Sequence, residues 1–173
     1  MTLADLAALG EAIGGLAVPI SFIYLAYQFR QTATIERTAG QRELLTRCRD
    51  WVELTTVHPE LTDVLRKTLG NWETASPTEK ERTNGWALSA ALQAEQALYM
   101  HREGLINEVS YRGFINVAVA IAATPGGSRW WAQARGPLGD DISELIDREL
   151  ADRPADAPTW TEAFAHLLPD ERA

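Results

Sequence analysis

The chain has no lysine or arginine before Arg30, and only one cysteine in its 173 residues. The first absence speaks against a secretory signal peptide, which needs a positively charged start; here Asp5 and Glu11 make the opening acidic. The second excludes an internal disulfide framework and fits a reducing compartment. No motif surrounds Cys48, so it reads as a small buried helix residue and not as a reactive thiol. Strand signals are also missing. There is no run of alternating β-branched residues and no Asn-Gly or Asp-Gly turn between such runs. A basic stripe is absent too: residues 1–50 hold five Arg against five acids, and the remainder carries the whole net charge of −8. Nucleic acid is therefore not an expected partner, since phosphate binding needs cations to displace counterions.

Catalytic signatures are missing as well. No Glu-x-x-His pair, HExxH or Cys/His zinc spacing involves His58, His101 or His166, so no metal site is expected. Gly126-Gly127 follows a helical stretch and has no lysine beside it, unlike a phosphate loop. Ser89, Ser128 and Ser143 lack a G-x-S-x-G context. No catalytic residue and no cofactor are assigned.

What is present is helical periodicity, and most prominently a stretch from Leu6 to Arg30. Ala12 to Phe29 are eighteen consecutive uncharged positions. As a helix they cover roughly 27 Å, close to the ~30 Å hydrocarbon core of a bilayer. The stretch predicts a membrane-spanning helix. Arginines 30, 37, 42, 47 and 49 follow it, so the positive-inside rule places the C-terminal domain in the cytoplasm. Tyr24, Tyr27 and Phe29 fall at the interfacial end of the span. One face carries small residues, Ala7, Gly10, Gly14, Ala17 and Ser21, with a GxxxG step that lets two helix backbones approach; this predicts self-association. Pro19 predicts a kink. Two other readings stand beside this one: a soluble domain whose first helix docks in its own core or in a partner's groove, and a ligand-binding or enzymatic bundle.

Beyond Gln31 the anchor helix is expected to continue to about Thr56, with a break near Thr32–Thr34 and with Leu45, Cys48, Val52 and Thr55 on one side. His58-Pro59 ends it. A short helix from Pro59 to Leu69, with Gly70 as its cap, precedes a loop from Asn71 to Ala75. Ser76-Pro77-Thr78-Glu79 is a capping box worth about 1 kcal/mol. It opens a long helix that Gly104 closes, apolar on nearly every face, as in a central helix. Glu95 interrupts that apolar run and is expected half-buried and paired; Tyr99, His101 and Arg102 lie on or near its face. Further helices are predicted over Asn107–Thr124, over a turn of Arg129, Trp130 and Trp131, and over Gly139–Asp152. Adjacent tryptophans point different ways, so one is expected in the core and the other at a groove or surface. Residues Glu95, Tyr99, His101, Arg102, Arg129, Trp130 and Trp131 are the candidate ligand site of the alternative reading.

The chain thus reads as all-α: an N-terminal anchor at residues 1–30, an irregular bundle of five to six helices at 31–153, and a Pro-rich acidic tail at 154–173. The motifs GEAIGGLAVPISFIYLAYQFRQ (Gly10–Gln31), YMHREGLINE (Tyr99–Glu108) and PGGSRWW (Pro125–Trp131) resemble a bacterial family of small helical proteins of uncharacterised function. That family carries an N-terminal hydrophobic helix before a cytoplasmic all-α domain; Pro19 departs from its pattern. The resemblance implies a single-pass protein of the inner membrane and brings no reaction, cofactor or catalytic set. The expected partners are lipid, a second copy of the chain and an unidentified protein.

Overall fold

The computed structural model describes residues 3–163, with side chains described at Gly15 and from Ile20 onward except at 33, 34 and 37. Among the described residues there are seven α-helices, one 3-10 turn and no strand, so the all-α expectation holds. The chain divides into two units, Met1–Gly40 and Gln41–Ala173.

The first helix, α1, runs from Leu3 to Val57 with no break at Thr32–Thr34. In the first unit every described side chain from Ile20 to Thr32 is exposed. Among the described residues no helix is long and apolar enough to cross a membrane. Much of the predicted span, Ala12–Gly14 and Leu16–Pro19, lies outside the described side chains, as do Ala7, Gly10, Gly14 and Ala17 of the small-residue face.

In the second unit the last turns of α1 present Leu44, Cys48 and Trp51 inward. The buried face is rotated from the expected one: Leu45 and Val52 are exposed, because burying the large Trp51 ring turns the adjacent positions outward. Burial raises the Cys48 thiol above its ordinary pKa, as expected of an inert packed cysteine. Helix α2, Pro59–Gly70, buries Leu65, Thr68 and Leu69. Its last helical residue is Gly70 and its cap is the extended Asn71, so the glycine cap expected there is not used. The predicted loop contains a 3-10 turn, Trp72–Thr74, which buries Trp72.

Helix α3, Pro77–Arg102, begins at the expected capping box. Ser76 Oγ accepts from the Glu79 N–H at 3.3 Å, and Glu79 Oε2 accepts from the Ser76 N–H at 2.7 Å. Lys67 of α2 donates to both Glu79 oxygens at 2.8 Å, so one carboxylate caps α3 and joins it to α2. The inner face of α3 is a row of alanines, Ala87, Ala90, Ala91, Ala94 and Ala97, all nearly inaccessible. Helix α4, Glu108–Ala122, lies against α3 with Ile115, Ala118, Val119 and Ala122 buried. Between them Gly104 takes φ +67°, the left-handed conformation that suits a glycine cap. Helices α5, Pro125–Ala134, and α6, Asp140–Ala151, complete the core with Trp130, Trp131, Ile142 and Ile146. A four-residue helix α7, Trp160–Ala163, follows. Although composition separates it off as tail, Trp160 packs on Trp51 and Trp86 at ring-centre distances of 5.6 and 5.5 Å.

The start of α5 passes very close to the end of α2. A methyl group at Gly126 would overlap the Thr68 carbonyl oxygen and lie 2.9 Å from the Leu69 and Thr68 carbonyl carbons. These are backbone atoms, which cannot swing aside, so Gly126→Ala should cost about 3 kcal/mol by overpacking. Gly113, exposed within α4 with open space around it, is the control: Gly113→Ala should stabilise by about 0.5–1 kcal/mol. Urea unfolding of the two variants measures both effects.

The Glu79 junction gives a second prediction. The Lys67 ammonium first, and then the Ser76 N–H and hydroxyl, hold this carboxyl at about 2 against an ordinary 4.5. Its folded pKa is thus below its unfolded one. The stabilisation is fully present above pH 4.5 and is lost as pH falls through about 2. Unfolding midpoints measured across that window should fall more steeply for the native chain than for Glu79→Gln.

Candidate functional site

The seven residues picked from sequence fall into three separate contact sets. Glu95 and Tyr99, one turn apart on α3, face the start of α6. Half-buried Glu95 accepts the Gly139 N–H on Oε1 at 2.8 Å. Gly139 is the N-cap of α6 and has no side chain with which to cap it, so a negative charge from α3 takes that place, where the helix dipole favours it. A methyl at Gly139 would lie 2.6 Å from Glu95 Oε1 and 3.1 Å from the Tyr99 hydroxyl, so a larger residue there would displace these two side-chain ends. Arg102, a turn further on, pairs with Asp141 of α6, and that bond raises its pKa. Glu95 is therefore half-buried as expected, but its partner is a backbone N–H and not the cation of an ion pair.

His101 belongs to a second set, facing α4. Its ring stacks on Tyr111 at 4.6 Å and 7°. Nε2 lies 3.0 Å from Glu108 Oε2 and Nδ1 lies 3.4 Å from the Ile106 carbonyl oxygen. Arg112 bonds Glu108 at 2.9 Å and Glu149 at 3.0 Å, closing the cluster. Burial raises the pKa of Tyr111. Each charge in this set is met by another, an arrangement that fastens the α3–α4 turn to α6.

The third set is on α5, where both tryptophans are buried: the surface position expected for one of them is corrected, and Trp130 borders a hollow instead. Helix α5 is packed on two sides. Trp130 Nε1 donates to Asn84 Oδ1 of α3 at 3.0 Å, and Trp131 Nε1 donates to Asp147 Oδ1 of α6 at 2.7 Å. Arg135 also bonds Asp147. Arg129, which precedes them, is exposed. A hollow of about 290 Å³ is lined by Trp72, Lys80, Glu81, Asn84, Trp130, Gln133 and Ala134; of the seven candidates only Trp130 borders it. Neither tryptophan offers an open face for stacking a ligand.

A different cleft, which sequence reading did not find, lies between α1 and α3. It has a volume of about 430 Å³ and is lined by Arg47, Asp50, Trp51 and Leu54 on one wall and by Ser89, Leu92, Gln93 and Gln96 on the other. Both walls follow the three-and-four spacing of a helix face. The signal that was available is Gln93, a polar residue inside the apolar run of α3. Among the described residues no group of three or more His, Cys, Asp or Glu could hold a metal ion.

If the tryptophan pair serves packing, Trp131→Phe should lose the bond to the Asp147 carboxylate and about 1.5–3 kcal/mol of stability. Arg129→Ala should leave the thermal midpoint unchanged; calorimetry on the two variants separates them. No protein-family model matches this chain, and no curated protein or solved structure matches it either.

Proposed function

We propose that the protein is a membrane-anchored helical module that acts through protein–protein contact and associates with copies of itself through its first helix. The observation that carries this reading is the exposure of Ile20, Phe22, Ile23, Tyr24, Leu25, Tyr27 and Phe29, between 47% and 71%. Successive residues of a helix turn by about 100°, so these side chains cover its whole circumference. A surface helix of a soluble domain needs one apolar stripe; a helix apolar all round needs an apolar surrounding on every side. Lipid supplies it. The arginines after Phe29 support an orientation with the second unit in the cytoplasm and the anchor in a bacterial inner membrane. The GxxxG step at Gly10–Gly14 supports pairing of two such helices. The ligand-site alternative has less support, because six of its seven residues are divided among three different helix junctions and Arg129 is exposed on its own.

Carbonate washing of membranes from expressing cells tests the anchor: the protein should stay in the pellet, and complete release would overturn the reading. For pairing, Gly14→Leu should lower the detergent-solubilised mass measured by light scattering. An unchanged mass would remove the small-residue face as its cause.

A further inference from the structure

The cleft between α1 and α3 is lined by a largely buried amide, Gln93. Gln93 is 8% exposed, and its hydrogen bond among the described residues is to Ser89 Oγ at 3.5 Å, the outer limit of such bonds. A carboxamide has two donors and two acceptor lone pairs, so a residue at the wall of a cleft can pair with a ligand amide in both directions. Gln96, half-buried on the same wall, adds a second amide. The floor is Trp51, whose Nε1 is committed to the Trp86 carbonyl oxygen at 2.9 Å, so it offers only an apolar edge. Leu54 and Leu92, 44% and 47% exposed, stand on opposite walls.

The rim carries one charge of each sign. Arg47 and Asp50 are three residues apart on α1, so their side chains are neighbours about 5–6 Å apart at Cβ. Their own partners are exposed: Arg47 pairs with Glu43 at 2.7 Å and Asp50 with Arg49 at 3.1 Å. Exposed pairs of this kind contribute little, so either charge exchanges its partner at small cost.

We propose that this cleft binds a short zwitterionic peptide of dipeptide size with apolar side chains. Its carboxylate meets Arg47 and its ammonium meets Asp50. The peptide amide supplies both a donor and an acceptor to Gln93, with Gln96 and Ser89 beside it. Its side chains cover Leu54, Leu92 and the edge of Trp51. A dipeptide places its two charges on either side of one trans peptide, with ~3.8 Å between Cα atoms, which suits a pair of charges one helical turn apart. A cleft of about 430 Å³ lies within the size range of small-ligand sites.

The test is titration calorimetry of the full chain with L-leucyl-L-leucine. Saturable binding with a dissociation constant of about 1 mM or tighter is expected. N-acetyl-leucyl-leucine amide, which lacks both charges, should bind at least about tenfold more weakly if the rim pairs contribute as charge-assisted bonds do. Gln93→Leu should lower affinity by about tenfold, because the peptide amide then faces no partner. Arg47→Gln, at an exposed position, should lower it by roughly fivefold without moving the thermal midpoint. Absence of saturation at millimolar peptide overturns the proposal, as does equal binding of the capped analogue. If Gln93→Leu fails to fold, Arg47→Gln decides: native affinity in that variant removes the zwitterion from the site.

Discussion

A helix can take several close neighbours only if the faces they meet are short. In α3 that requirement is met by the alanines at 87, 90, 91, 94 and 97, which let α4 approach closely and leave room for α2, α5 and α6 around the same helix. Larger side chains there would push the neighbours outward and open the layer that buries Ile115, Ile121, Ile142 and Ile146. The same economy of volume recurs where α5 crosses α2: Gly126 sits where a Cβ would overlap the Thr68 backbone. Bulk is then concentrated in a few large residues. Trp51, Trp72, Trp86, Trp130 and Trp131 all belong to one buried cluster. The tryptophans fill what the alanines and glycines leave open.

Indole nitrogens show the cost of filling a core this way. Trp51, Trp130 and Trp131 each donate to a carbonyl, an amide or a carboxylate. Trp86 Nε1 is buried with no hydrogen-bond partner among the described residues, a loss of about 1–3 kcal/mol. Its ring is stacked on Trp51 at 4.6 Å and 23°, with Trp160 against its edge. Aromatic contact and apolar burial offset the lost bond there, since burying a large aromatic side chain contributes energy of the same order.

Local signals in the sequence translated well into structure. The capping box at Ser76–Glu79 and the left-handed Gly104 were legible because they depend on residues within one turn of each other. The bounds of α4 and α6 followed from periodicity. What the sequence concealed depends on distant partners. The buried face of α1 depends on where Trp86 lies, so spacing alone points to Leu45 and Val52 as its inner side. Both tryptophans of α5 are inside because α3 and α6 lie on its two flanks, which no local pattern shows. Glu95 was recognised as out of place in an apolar helix, yet its partner is a backbone N–H at Gly139. The α1–α3 cleft has walls from remote parts of the chain, and only Gln93 hinted at it.

The tryptophan group formed by Trp51, Trp86 and Trp160 also bears on how the protein is made. Trp160 meets two rings that precede it in the sequence by 109 and 74 positions. During synthesis, α1 through α6 emerge while the face of the Trp51–Trp86 pair is still uncovered. Contacts between residues so far apart form late and slowly. Until residue 160 clears the ribosome, the growing chain therefore carries an aromatic surface open to other chains, the kind of exposure that chaperones shield. Helix α7 thus marks the moment at which translation covers the Trp51–Trp86 face.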